Sequence, residues 1–299
     1  MMKKMMMVGL LLTVAMALQA QLKVAPKMEK GTVKNYICVV NASLPGQGDV
    51  KITNETKYTV TDVTADGYII DIVDVGVQSE CDDNNIAGKL MGAAQEIMKG
   101  TVIRVAVDKN GRVQKILNAD ELTPKLEKMG DELVDKMMKD IPQLAQMVSK
   151  DALKQQISQA ATADAILATF QEVSSPLVLN GKTIMTGAQE DVVTKEGLKM
   201  KRMYFVNGQN ITTNSTLSMT KDELKALIIK QVEQAAPEQA KMVKDNIDQL
   251  MDSGMLKMDQ KETTTYELQS DGWVKSIKGE STTETMGQKV TTTSSVTMK

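Results

Sequence analysis

The chain has 299 residues, with 36 Lys and Arg against 38 Asp and Glu, no His, two Cys, 23 Met, one Trp, five Tyr and two Phe. Without histidine there is no Ser-His-Asp or Cys-His catalysis, no HExxH zinc site and no imidazole base. A formal charge of -2 gives no overall basic field for nucleic acid, and 42% hydrophobic with 25% charged residues describes an ordinary globular chain.

Residues 1–20 read as an export signal. Lys3 and Lys4 form the positive start, Met5 to Leu18 an apolar run, and Ala20 a small residue before Gln21. The run is shorter than the ~18 residues that span a bilayer, and no later stretch is apolar enough to do so. The alternative is a short uncleaved anchor. The expected mature chain, 21–299, is a single exported domain, periplasmic or extracellular, with no transmembrane segment. Its net charge is near -4 once Lys3 and Lys4 are gone. Export leaves two readings for Cys38 and Cys81. They form one disulfide between the first strand and the end of the third, or they are two buried thiols in a reducing habitat.

Val, Ile, Thr and Tyr enrich 32–42, 49–62 and 67–79, which read as strands broken at Pro45-Gly46 and Asp66-Gly67. A short helix over 84–99 follows from the spacing of Ile86, Leu90, Ala93, Ala94 and Ile97. Ile103, Val105 and Val107 alternate up to Asn110-Gly111, a hairpin turn, and the chain returns to Leu117. Asn118 and Glu121 then suit a capping box for a helix striped by Leu122, Leu126, Met129, Leu133 and Met137. Pro142 restarts the helical pattern, which runs to about Gln171.

The second half repeats this order. Strands at 198–206 and 210–219 turn at Asn207-Gly208, and Thr220 with Glu223 forms a second capping box. The helix stripe is Leu224, Leu227, Ile228 and Val232, restarted at Pro237 through Ala240, Val243, Ile247 and Leu250. The likeness of 101–171 to 198–254 is either a weak internal duplication or a common way to leave a sheet. Three Thr-rich strands close the chain at 255–269, 273–284 and 288–298.

The pattern predicts an α+β fold: a large curved antiparallel sheet or half-open barrel of about ten or eleven strands, with two helical insertions covering one face. Seventeen Met remain after the signal, many on the helices, and Met suits a deformable apolar cavity as well as an ordinary core. The ligand-facing candidates are therefore Met129, Leu133, Met137, Leu224, Ile228 and Val232. Acidic residues over 71–85 match no calcium-loop spacing, so no metal site is expected. No GxSxG, GxGxxG or Walker loop is present, so neither catalytic residues nor a cofactor is expected. Trp273, just after a turn, reads as a packing residue. The oligomeric state is left open.

Ala20-Gln21, the run Val105 to Val113 and the run Tyr266 to Trp273 resemble uncharacterised exported proteins of Gram-negative bacteria, Bacteroidetes in particular. The expected architecture also resembles the periplasmic lipoprotein-carrier barrels, in which a half-open sheet and covering helices hold acyl chains. That resemblance implies a non-enzymatic protein binding an apolar or lipid-like molecule between sheet and helices. The other reading is a structural or interaction module of the envelope with a filled core.

Overall fold

The alternating β-branched segments form long strands, and the striped segments form helices. The computed structural model describes residues 21–299 except positions 45, 47, 83–84, 141–148, 195, 236, 254–257 and 286–287. The expected export signal, the restart at Pro142 with Met147, and the Met286-Gly287 turn lie outside the described residues. In chain order the elements are β1 (Gln21–Lys23), β2 (Val33–Leu44), β3 (Gly48–Val63), β4 (Gly67–Cys81), α1 (Ile86–Met98), β5 (Val102–Asp108) and β6 (Val113–Ile116). Then come α2 (Ala119–Asp140), α3 (Lys150–Ala160), α4 (Ala163–Thr169), β7 (Thr183–Met185), β8 (Gln189–Val193), β9 (Lys199–Asn207) and β10 (Asn210–Leu217). The chain ends with α5 (Lys221–Ala235), α6 (Pro237–Asp252), β11 (Met258–Leu268), β12 (Val274–Thr285) and β13 (Gln288–Met298).

Eleven strands pair antiparallel in the order β6-β5-β4-β3-β2-β13-β12-β11-β10-β9-β8, and β1 pairs with β7 in a separate ribbon. The thirteen strands exceed the expected ten or eleven, and the ones that no sequence segment announced are β1, β7 and β8. The first two are three residues long, and β8 carries Glu190 and Asp191, so none has a readable apolar alternation.

The sheet is not closed, since β6 and β8 do not pair. It is nevertheless strongly curled. Laid flat, eleven strands at ~4.8 Å spacing would hold the edges nearly 50 Å apart. Yet Asn180 donates to Gly111 O at 3.2 Å, and Arg112 donates to Gly181 O, both at the β5–β6 turn. One residue further on, Lys182 pairs with Glu190 of β8 at 2.9 Å. Three consecutive residues therefore span both edges of the sheet.

Inside this curl lies one continuous core. Tyr36, Tyr58, Val60, Ile70 and Val105 on one side join Tyr204, Ile211, Tyr266, Ile277 and Val296 on the other. The filling is Val24 and Met28 from the N-terminal segment, Ile166 and Phe170 from α4 and its end, and Leu177, Leu179 and Ile184 from the connector. The two segments are tied together, Val24 N donating to Lys182 O and Gly181 N to Val24 O. Trp273 is 1% exposed, with Nε1 donating to Lys27 O at 2.8 Å, so it packs as its position after a turn suggests.

Two expectations are corrected here. Two helical blocks were to cover the sheet; the first does so in part, through Leu122, Leu126, Ile166 and Phe170, whereas the second adds nothing to this core and the connector supplies the rest of the cover. The Asn118–Glu121 capping box does not form. Asn118 accepts from Arg104 N and donates to Val102 O, both at 2.9 Å, prolonging the ladder along β5. The Thr220–Glu223 box does form, with Glu223 N on Thr220 Oγ1 and Thr220 N on Glu223 Oε2. Of the two readings for Cys38 and Cys81, the structure holds the free thiols, both half-buried. They lie on β2 and β4 with all of β3 between them, and strands two apart are separated by ~9.6 Å, too far for a disulfide.

Candidate functional site

Strand alternation fixes which side chains enter the curl. The turns β3–β4, β5–β6, β9–β10 and β11–β12 gather at the filled end of the sheet, and the helices join it at the other end. Moving from the filled end, one cross-strand row reads Cys38, Val296, Ile277, Tyr266, Ile211. The next reads Val40, Ser294, Gly279, Thr264, Thr213, Tyr204. A third crosses nine strands as Cys81, Val50, Ala42, Thr292, Ser281, Glu262, Ser215, Arg202, Glu190.

The rows change character as they leave the core. Val296, Ile277, Tyr266 and Ile211 are sealed, whereas Val40, Ser294, Thr292, Ser281, Thr283 and Glu262 point inward yet are only half-buried. That half of the inner face is open. Its half-buried wall offers Val40 on β2 and the hydroxyls of Ser281, Thr283, Thr292 and Ser294 on β12 and β13, while Ala42, Val50, Ile52, Thr213, Ser215 and Thr264 around them are buried.

Helix α1 bounds the apolar side. Gly88 and Gly92 are one turn apart and lay the helix directly on β3 and β4. A Cβ on Gly88 would come within 2.8 Å of Val50 Cγ2 and Cys81 Cβ, and one on Gly92 would overlap Ser79. The same side holds Asp74, which accepts from Thr56 Oγ1 at 2.6 Å and whose carboxyl burial pushes upward. Burial likewise pushes the Cys38 thiol up to about 11, with Asp74 adding to it, so this sulfur is no ready nucleophile.

The polar side is built around Arg202, which is 7% exposed. Its Nε donates to Ser215 Oγ at 3.2 Å, and among the described residues it makes no ion pair. Beside it, Lys182 and Tyr204 both bind Glu190. Burial raises Glu190, but the hydrogen bonds from Tyr204 and Lys182 outweigh it and hold the carboxyl below its ordinary value. Glu262 behaves oppositely. Burial raises it, Arg202 and a hydrogen bond from Thr264 pull it back, Glu172 adds to the rise, and the net direction is upward. Arg202 and Glu262 thus sit on the inner face of β9 and β11, while Glu190 comes from the edge strand β8 and Lys182 and Glu172 from the connector.

No family model matches the chain, and no curated protein matches it. Among solved structures, a lipovitellin determined for its lipid–protein interactions is similar at 10% identity and a TM-score of 0.41. That likeness covers 91% of this chain and 25% of the other, so the chain spans about a quarter of the lipovitellin's length. A porin-like protein from Bacteroides uniformis aligns at 11% identity and a TM-score of 0.17, over 93% of this chain and 99% of that one. Likenesses this low carry no inference about function. The resemblance to exported Bacteroidetes proteins gains no family assignment from them.

The six residues expected to face a ligand are not gathered into one lining. Met137 and Leu224 are buried, while Met129, Leu133, Ile228 and Val232 are half-buried, and none belongs to the core under the sheet. Helix α2 packs chiefly against α3 and α1, and α5 chiefly against α6, so the stripes serve two separate helix seams. The acids of 71–85 also scatter: Asp71 pairs with Arg104 at 2.7 Å, Glu80 with Lys51 at 2.8 Å, and Asp74 turns inward. Arg202 and Glu262 were missed by the sequence reading. A signal existed in the single Arg between Met200 and Tyr204, a charge on the face that alternation assigns to the interior. Among the described residues no helix is long and apolar enough to cross a membrane.

Proposed function

We propose that this is an exported, non-enzymatic binding protein that holds a lipid-like ligand in the open half of the curled sheet. One observation supports the reading above all. Beyond the filled core, the inward residues Val40, Ser294, Thr292, Ser281, Thr283 and Glu262 are only half-buried, so the concave face keeps a strip that the chain does not cover completely. Ligand sites are concave and partly apolar, with a few placed polar groups, and this surface has each property. The ligand would lie against Val40 and meet the hydroxyls of Ser281, Thr283, Thr292 and Ser294.

The filled core favours a second reading, a structural module of the envelope, because its largest side chains already seal one another. Native mass spectrometry of protein purified from its own envelope separates the two. The binding reading expects a mass beginning at Gln21 with a bound small molecule, and binding of a polarity-sensitive hydrophobic dye. Apo mass alone, together with no dye binding, would establish the structural reading.

A further inference from the structure

We propose that Asn207 is a self-modification site, deamidating through the backbone of Gly208 to aspartate and isoaspartate, because the fold shields the chain's other Asn-Gly pairs. Three asparagines precede a glycine: Asn110, Asn180 and Asn207. In such a pair the glycine nitrogen, unhindered by a side chain, attacks Cγ of the asparagine amide. A C–N bond forms, the attacking nitrogen gives its proton to hydroxide, and the side-chain nitrogen leaves as ammonia. Water then opens the five-membered ring at either carbonyl, leaving aspartate or isoaspartate. The reaction needs a free glycine N–H and a side-chain amide able to swing over it.

Two of the three pairs lack these freedoms. Asn180 is 3% exposed, its Nδ2 donates to Gly111 O at 3.2 Å, and Gly181 N donates to Val24 O at 2.7 Å. Asn110 is exposed, but Gly111 is buried and its N–H donates to Asp108 O at 2.9 Å. Asn110 N also donates to Asp108 Oδ1 at 2.8 Å, and a Cβ on Gly181 would come within 2.9 Å of Asn110 Cβ. These two pairs form the clasp between the sheet edges, so the contacts that close the curl also protect them.

Asn207 ends β9, where the chain turns into β10. Residues Asn207, Gly208, Gln209 and Asn210 are all exposed, and Gly208 takes a φ of 59°. Among the described residues the Gly208 N–H and the Asn207 side-chain amide meet no hydrogen-bond partner. Nothing lies within 4 Å of where a Gly208 Cβ would stand, so the ring can close without crowding. Asn207 and Asn210 are the outermost pair of the hairpin, and terminal pairs open most readily. Conversion places a carboxylate in the cross-strand row of Asn210 and Glu267, and isoaspartate lengthens the main chain by an atom at that pair.

The test incubates the purified full chain at pH 8, folded and in guanidinium chloride, and locates deamidation by peptide mass spectrometry. In the folded protein, position 207 should gain one mass unit and separate into two isomers. It should react at least about tenfold faster than 110 or 180, which react only after local opening. In denaturant the three should react at comparable rates. Asn207→Gln, an exposed change, should remove the mass gain of the folded protein. Equal rates at Asn110 or Asn180 in the folded chain overturn the proposal, as does an Asn207 that reacts only when unfolded. A preference for 207 that persists in denaturant overturns it too, since the neighbouring sequence and not the fold would then set the order.

Discussion

At the scale of single residues, the interior of this sheet sets burial against charge. Glu262 accepts only a long hydrogen bond from Thr264, 3.4 Å, and lacks a direct cation partner among the described residues. Burial therefore outweighs the pull of Arg202, and the carboxyl holds its proton more tightly in the folded protein than in the unfolded chain. The sign of the pH effect follows. A raised acid stabilises the fold at low pH, and that contribution is lost as pH rises through its folded value. Glu262→Gln should consequently raise the thermal midpoint at pH 7, and the two proteins should converge as pH falls below about 4, where the unfolded carboxyl also protonates. A variant less stable than the parent at pH 7 would mean that the Arg202 attraction dominates. Trp273 shows the opposite case, a polar group fully accommodated: its ring is sealed and its one N–H is used.

At the scale of elements, close approach explains a helix position that propensity alone would disfavour. Gly130 lies in the interior of α2, where it costs about 1 kcal/mol relative to Ala, and a Cβ there would overlap Ile157 of α3. Gly130→Ala should lower stability by about 1–3 kcal/mol in denaturant titration despite the gain in helix propensity, because the crossing must widen. A stabilised variant would show that α2 and α3 are not held this close. The capping box of α5 gives a second measurable contrast. Lys199, then the backbone N–H and hydroxyl of Thr220, hold Glu223 down to about 2. Its support is present above the ordinary Glu range and vanishes as pH falls towards about 2. Glu223→Gln should lower the thermal midpoint at pH 7 and leave it unchanged near pH 2. Capping chemistry was legible here and failed at Asn118 for a physical reason: the same amide found two backbone groups of β5 that would otherwise lie unpaired at the sheet edge. Long strands were legible because alternation repeats many times in each. The connector after Gln171 was not, since Leu177, Val178 and Leu179 run consecutively and acquire their burial only from strands distant in the chain.

At the scale of the whole molecule, stability should be graded from the filled end outward. The central strands β2, β13, β12, β11 and β10 are hydrogen-bonded on both sides and backed by Val296, Ile277, Tyr266 and Ile211. Helices α5 and α6 form an insertion between β10 and β11, pack mainly on each other, and are joined by surface ion pairs such as Lys225–Asp248 at 2.6 Å. Exposed pairs of this kind contribute about 0–1 kcal/mol each, whereas sealed aliphatic and aromatic side chains contribute about 1.5–3 kcal/mol apiece. Opening the helix pair should therefore cost far less than opening the central strands. In hydrogen exchange, amides of α5 and α6 should exchange about a hundredfold or more faster than those of β11 to β13 paired along the Tyr266 row. Equal protection would mean that the insertion and the sheet unfold as one cooperative unit, with the Lys199–Glu223 contact and the Leu227–Gly197 approach binding them more firmly than their exposure suggests. The gradient also bears on the open half. The strands that carry Ser281, Glu262 and Arg202 extend from the sealed rows, so the register of their inward groups is set by the buried part of the sheet and should persist when α5 and α6 open. A binding wall that stays fixed while its rim moves keeps hydrogen-bond geometry preorganised without closing the way in.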